Sequence, residues 1–141
     1  MDERVAKPLP PQTPDWLPFY EAAARGVLSL PRCQQCGSFR FPPRPVCPNC
    51  LGKDFAWQPV SGRGEIWSYV VMHQVYHPAF ADEVPYAVVL VRLHEGPKML
   101  SRLIDVAPRA VQIGAAVEAT FLPAGNGLYL PFFRLAAGPA T

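Results

Sequence analysis

Four cysteines are the residues best placed to do chemistry, and the chain has no others: Cys33, Cys36, Cys47 and Cys50, in the stretch RCQQCGSFRFPPRPVCPNCLG. A CxxC turn sets two thiolates on one side of a tight loop. Two such loops facing each other make a tetrahedral cage of four sulfurs. Zinc fits that cage without redox chemistry, with Zn–S bonds of about 2.3 Å. Gly37 and Gly52, which follow the two pairs, are expected to supply the permissive backbone of the knuckles. Iron in a rubredoxin-like site would use the same ligands. Disulfide or thioredoxin-type use is a weaker reading, because PPRP precedes the second pair where a redox motif would open a helix. A closed four-thiolate site leaves no position for substrate, so the expected role is to fold the module.

The elements that must position this cage are short. Phe39 and Phe41, and then Phe55 and Trp57, alternate with other residues as two short strands would, and form a small apolar layer beside the metal. Upstream, DWLPFYEAAARG predicts a helix with Asp15 as its cap and Gly26 at its end. Its Trp16, Phe19, Tyr20 and Ala23 share one face, which must bury on the chain's own core or on a partner. Residues 1–14 read as a flexible Pro-rich arm, and 137–141 as a tail.

Beyond PVSGRGEI, the rest of the chain reads as strands over 64–75, 86–93, 98–104, 116–122 and 128–135. The segment DVAPRAVQIGAAV, between the third and fourth, has room for one helical turn. That order predicts a five-stranded OB-fold barrel over 61–136, after a helix and zinc ribbon over 15–60. At the barrel end, Arg109 and Gln112 are expected outside, with Val111 and Ile113 sealing the core.

Composition narrows the function. The 141 residues carry a net charge of +2, and residues from 61 onward hold six basic and six acidic side chains. That balance argues against the positive groove of a single-strand nucleic-acid binder, which is nevertheless the alternative reading for a zinc ribbon joined to an OB-fold. The start lacks the apolar core of a secretory signal, and no apolar run could span a bilayer, so a soluble cytoplasmic protein is expected. His73, His77 and His94 sit in no metal or nucleophile motif, and Ser61, Ser68 and Ser101 lack a nucleophile elbow. No self-contained active site is visible.

The chain resembles the acyl-CoA-associated family known as domain of unknown function thirty-five, which combines an N-terminal helix, a rubredoxin-like zinc ribbon and a C-terminal OB-fold. The resemblance rests on PFYEAAARGVLSLPRCQQCGSFRFPPRPVCPNC, PVSGRGEIWSYVVMHQVYHPAFADEVPYAVVLVRL, EGPKMLSRLI and IGAAVEATF, and spans residues 15 to about 135. It implies a zinc site at Cys33, Cys36, Cys47 and Cys50. It also implies an accessory role in a hetero-oligomer beside a thiolase-like protein, in condensation or cleavage of acyl-CoA thioesters, steroid side chains included. Some members are fused to a hydratase-like domain, which here would come from a separate polypeptide.

An acyl-CoA offers phosphates, an adenine and a thin apolar arm. Between residues 32 and 53 the ribbon holds Arg32, Arg40, Arg44 and Lys53 and no acid. Arg40 and Arg44 are the leading phosphate candidates, and Phe39 and Phe41 the candidate stacking platform. In the barrel, the loop with His77 and Phe80 and the loop around Asn126 are the expected contacts for ligand or partner.

Overall fold

The computed structural model describes residues 13–74, 78–80, 82–125 and 127–136. The elements follow in the order α1 (Leu17–Ala24), β1 (Leu28–Cys33), β2 (Phe55–Val60), β3 (Arg63–Met72), β4 (Tyr86–Leu93), β5 (Lys98–Leu103), β6 (Ala116–Gly125) and β7 (Leu128–Leu135). Two 3-10 turns, Pro78–Phe80 and Pro108–Ala110, lie in the longer connections.

Strands β3 to β7 close into a barrel with the neighbour order β3-β4-β5-β7-β6, completed by antiparallel pairing of β3 with β6. This is the five-stranded OB-fold, with its short helical turn between the third and fourth barrel strands. Alternation along β4 sends Ala87, Val89, Val91 and Leu93 inward, where they meet Ile66, Met99, Leu103, Val117 and Phe133. Val111 is buried at the barrel end as expected, but Ile113 is 67% exposed. Gly114 explains this. Its N–H donates to the Ile66 carbonyl, and its φ of +89° turns the chain so that Ile113 points to solvent.

The ribbon differs from the sequence expectation in its first strand. The partner of β2 is β1, running from Leu28↔Val60 to Cys33↔Phe55, and not the segment around Phe39–Phe41. Phe39 makes only an isolated bridge to Arg32. Strand β1, LSLPRC, was not expected because it is short, holds Pro31 and runs straight into the first knuckle at Cys33. Helix α1 is what covers it.

That helix begins at Leu17, with Trp16 as its cap residue and no side-chain capping bond, so Asp15 does not cap it. Gly26 does end it, at φ +77°, with its N–H on the Ala23 carbonyl and that of Val27 on Ala22. Phe19, Tyr20, Ala22 and Ala23 are buried against β1 and β7. The apolar face is thus spent within the chain. Trp16, Phe19, Tyr20 and Phe41 form one aromatic cluster, with ring centroids 5.3–5.9 Å apart. This cluster joins helix, ribbon and barrel into one core.

Candidate functional site

The four cysteines converge. Their sulfurs all lie within 4.8 Å of one another, with Cys33 and Cys50 3.5 Å apart and Cys36 and Cys47 3.6 Å apart. A tetrahedron with 2.3 Å metal–sulfur bonds has edges of about 3.8 Å. A disulfide would need about 2.0 Å, and all four thiols are free. The residues present therefore fit a structural zinc, which would clamp the two knuckles together.

The first knuckle hangs from the end of β1, with the Gly37 N–H on the Cys33 carbonyl and those of Gln35 and Cys36 directed at the Cys33 sulfur. The second is closed by Leu51 N–H to the Cys47 carbonyl and Cys47 N–H to the Gly52 carbonyl. Gly37 takes φ +78° as expected, but in the second knuckle the left-handed residue is Leu51, at φ 65°. Gly52 is needed for space instead. A Cβ there would meet Gln35 Oε1 at 2.0 Å and the Cys50 sulfur at 3.3 Å.

Ser38 supports the cage from outside, its hydroxyl 3.0 Å from the Cys36 sulfur and 3.5 Å from that of Cys47. Its hydroxyl is the main cause that holds the Cys36 thiol down to about 5, with Asn49 adding to it. At Cys50 the Gly52 N–H pulls the thiol down, but the Cys33 thiol, burial and the other two sulfurs push it up to about 12. Crowded sulfurs thus divide between thiolate and thiol, the tension a divalent cation relieves.

The sequence-selected ligand residues scatter. Arg40 is corrected: it is 2% exposed, its Nη1 donates to the Arg44 carbonyl at 2.5 Å, and its guanidinium lies over Phe55. It has no surface from which to meet a phosphate. Arg44 is exposed. Phe39 lies under the Arg32 guanidinium at 5.0 Å, and Phe41 packs in the aromatic cluster against Trp16 and Phe19. Phe80 closes the turn Pro78–Phe80, and its side chain is outside what is described. His77 and Asn126 lie outside the described residues.

Two concavities were not legible in the sequence. One, of about 330 Å³, opens at the barrel end between Val71, His73, Pro85, Ala107, Pro108 and Arg109. The other, about 260 Å³, lies where Trp16, Tyr20 and Phe41 overhang Leu100, Leu130 and Phe132. Both join residues far apart in sequence, so only barrel closure and helix docking create them.

Family models match along most of the chain: the ChsH2 rubredoxin-like zinc ribbon domain over residues 21–56, and the ChsH2 C-terminal OB-fold domain over 57–122. Among solved structures, the "Ltp2-ChsH2(DUF35) aldolase" contains a chain 39% identical to this one. The match has a TM-score of 0.82 and covers 92% of this chain and 100% of that one. The chain belongs to the DUF35 family. A DUF35 domain-containing scaffold protein of Methanothermobacter thermautotrophicus is 38% identical over 95 residues, 67% of this chain and 71% of the relative. A probable enoyl-CoA hydratase alpha subunit of Thermomonospora curvata is 38% identical over 131 residues, 93% of this DUF35 chain but 40% of the relative. The benzoylsuccinyl-CoA thiolase subunit BbsA of Thauera aromatica is 29% identical over 127 residues, 85% of each chain. The DUF35 chain thus spans well under half the length of the hydratase subunit. No helix among the described residues is long and apolar enough to cross a membrane.

Proposed function

We propose that this chain is a non-catalytic accessory subunit of cytoplasmic acyl-CoA metabolism, which binds an acyl-CoA, a thiolase-like partner enzyme, or both. The observation that carries the reading is the likeness to the DUF35 chain of an aldolase along that chain's entire length. The relatives named as a scaffold, a thiolase subunit and a hydratase alpha subunit point the same way, and add a hydratase-like protein as a second candidate partner. Residues 15–60 and 61–136 act as its two units, with zinc on Cys33, Cys36, Cys47 and Cys50 holding the first in shape.

The acyl-thioester would enter at the barrel end. The 330 Å³ pocket is walled by Val71, Pro85, Ala107 and Pro108, with His73 and Arg109 exposed at its mouth. An apolar arm fits such walls, and a guanidinium suits the anionic groups of a coenzyme A. The connection carrying His77 and Phe80 begins beside it, and Arg44 remains the ribbon's exposed phosphate candidate.

The test is mild affinity purification of the tagged chain from its own host, followed by acyl-CoA assays with and without the retained enzyme. The expected result is thioester turnover only when that enzyme is present. Coenzyme A release catalysed by the chain alone would overturn the accessory reading.

A further inference from the structure

Strand register assigns the outer surface of β3, β4 and β5 to three rows: Glu65–Arg92–Lys98, Ser68–Leu90–Leu100 and Val70–Val88–Arg102. A β-bulge between Ile66 and Ser68 adds Trp67 to the same side. The middle of this surface is aliphatic and uncovered, with Val70 56% and Leu100 64% exposed, while Trp67, 44% exposed, lies under the cations of the Glu65 end. Charge is confined to its ends. Arg92 pairs with Glu65 at one and Arg102 with Glu83 at the other, and Lys98 lies 4.1 Å from the Trp67 ring centroid.

OB-folds use the outer face of their second and third strands to hold ligands, and here those strands are β4 and β5. Nucleic-acid binders place free aromatic rings and cations there for stacking and phosphate contact. On this face the aromatic rings are already taken: Trp67 by Arg92 and Lys98, and Tyr86 by Arg102. What is left is aliphatic, which suits a protein surface. A second copy of the chain is a poor occupant. With Arg92 and Arg102 each paired to a glutamate, the face keeps one net positive charge on Lys98, and a second copy would bring the same charge and no uncommitted carboxylate from these rows. The complementary surface is an apolar patch edged with Asp and Glu. Leu100 and Arg102 also line the cleft beneath Trp16 and Phe41, so the face continues into a socket of about 260 Å³ that could seat a bulky side chain.

We propose that the outer face of β3–β5 is the docking surface for the thiolase-like subunit, through an apolar patch rimmed by carboxylates on that enzyme. The inference rests on the accessory-subunit reading and assigns it a surface. The test compares the tagged full chain with Val70→Glu/Leu100→Glu, with Lys98→Glu, and with Gln58→Glu as a control on exposed strand β2 of the separate ribbon sheet. The enzyme retained by the unaltered chain is identified by mass spectrometry, purified and titrated against each variant. The expected outcome is at least a 100-fold loss for the double variant and about tenfold for Lys98→Glu, which changes charge without touching the apolar centre. Gln58→Glu should bind within twofold, and all variants should keep their zinc content and near-ultraviolet spectrum. Double-variant and Lys98→Glu binding both within twofold of the unaltered chain would overturn the docking face and leave the accessory reading standing. If the unaltered chain retains no thiolase-like enzyme, the accessory reading fails and this inference with it. Low-salt binding of a single-stranded oligonucleotide that Leu100→Glu abolishes would assign the face to nucleic acid instead.

Discussion

The guanidinium of Arg40 lies 4.7 Å from the ring centroid of Phe55, buried beneath the ribbon surface and held by the Arg44 carbonyl. Its Nε and Nη2 have no hydrogen-bond partner among the described residues. The aromatic face and one carbonyl therefore compensate a buried cation only in part. Arg40→Met keeps the packed volume and removes the charge, so its melting temperature should stay level or rise. Arg40→Ala leaves a cavity and should cost about 2–3 kcal/mol in denaturant titrations. Equal losses in both variants would mean that the charge itself stabilises the ribbon.

The cage should bind one zinc per chain, and Cys47→Ser should abolish it. Cys47 is fully buried, and structural zinc supplies roughly 10 kcal/mol or more of folding energy to small modules. Metal analysis and the melting profile check this. Retained zinc with unchanged melting would refute a structural cage.

Acid should release that zinc, because protons compete with the metal for thiolates. The sign at Cys36 follows from its depressed value of about 5, held down chiefly by Ser38. A lowered thiol favours the metal-competent form above that pH and loses it as pH falls through it. Ser38→Ala lets the value rise, so zinc should bind roughly tenfold more weakly. Its release on acidification should then begin at higher pH, as followed with a chromophoric chelator.

Tyr20 is buried against Trp16 and Phe19, and burial pushes its phenol above the usual range. The folded chain therefore holds that proton more tightly than the unfolded chain. Stability from this source is complete below pH 10 and is lost as pH rises through the folded value. Tyr20→Phe should match the parent at pH 7 and resist alkaline unfolding better, as read by circular dichroism above pH 10.

Gly64 faces backbone that cannot yield: a Cβ there would lie 2.4 Å from the Arg92 carbonyl oxygen and 2.9 Å from Val91 Cγ1. Gly64→Ala should cost about 3 kcal/mol, near the upper end for overpacking. Gly52→Ala should cost less, since its nearest obstacle is the movable tip of Gln35. Paired denaturant titrations of the two variants test the contrast.

Much of this protein is determined locally. CxxC spacing sets a metal cage wherever the two turns meet, because the ligand type and the turn geometry lie within four residues of each other. The barrel strands at 86–93 and 128–135 fall at their expected bounds, since runs of Val, Tyr, Phe and Leu bounded by Gly or Pro are a local signal. Helix α1 was legible from its spacing and from Gly26. Strand β1 was not, because Pro31 and the knuckle that begins at Cys33 mask a short strand.

The exposed surfaces and pockets were decided by tertiary structure alone. Basic residues in a row say nothing of direction, and the ribbon turns Arg40 inward while leaving Arg44 outside. The aliphatic outer face of β3–β5 depends on a one-residue bulge at Trp67 and on strand register, and neither is written in composition. The pocket at the barrel end unites Val71 with Arg109 only because the barrel closes. Local sequence sets which way a side chain can point relative to its own strand. Which of those directions is inside depends on what the rest of the chain brings to cover it.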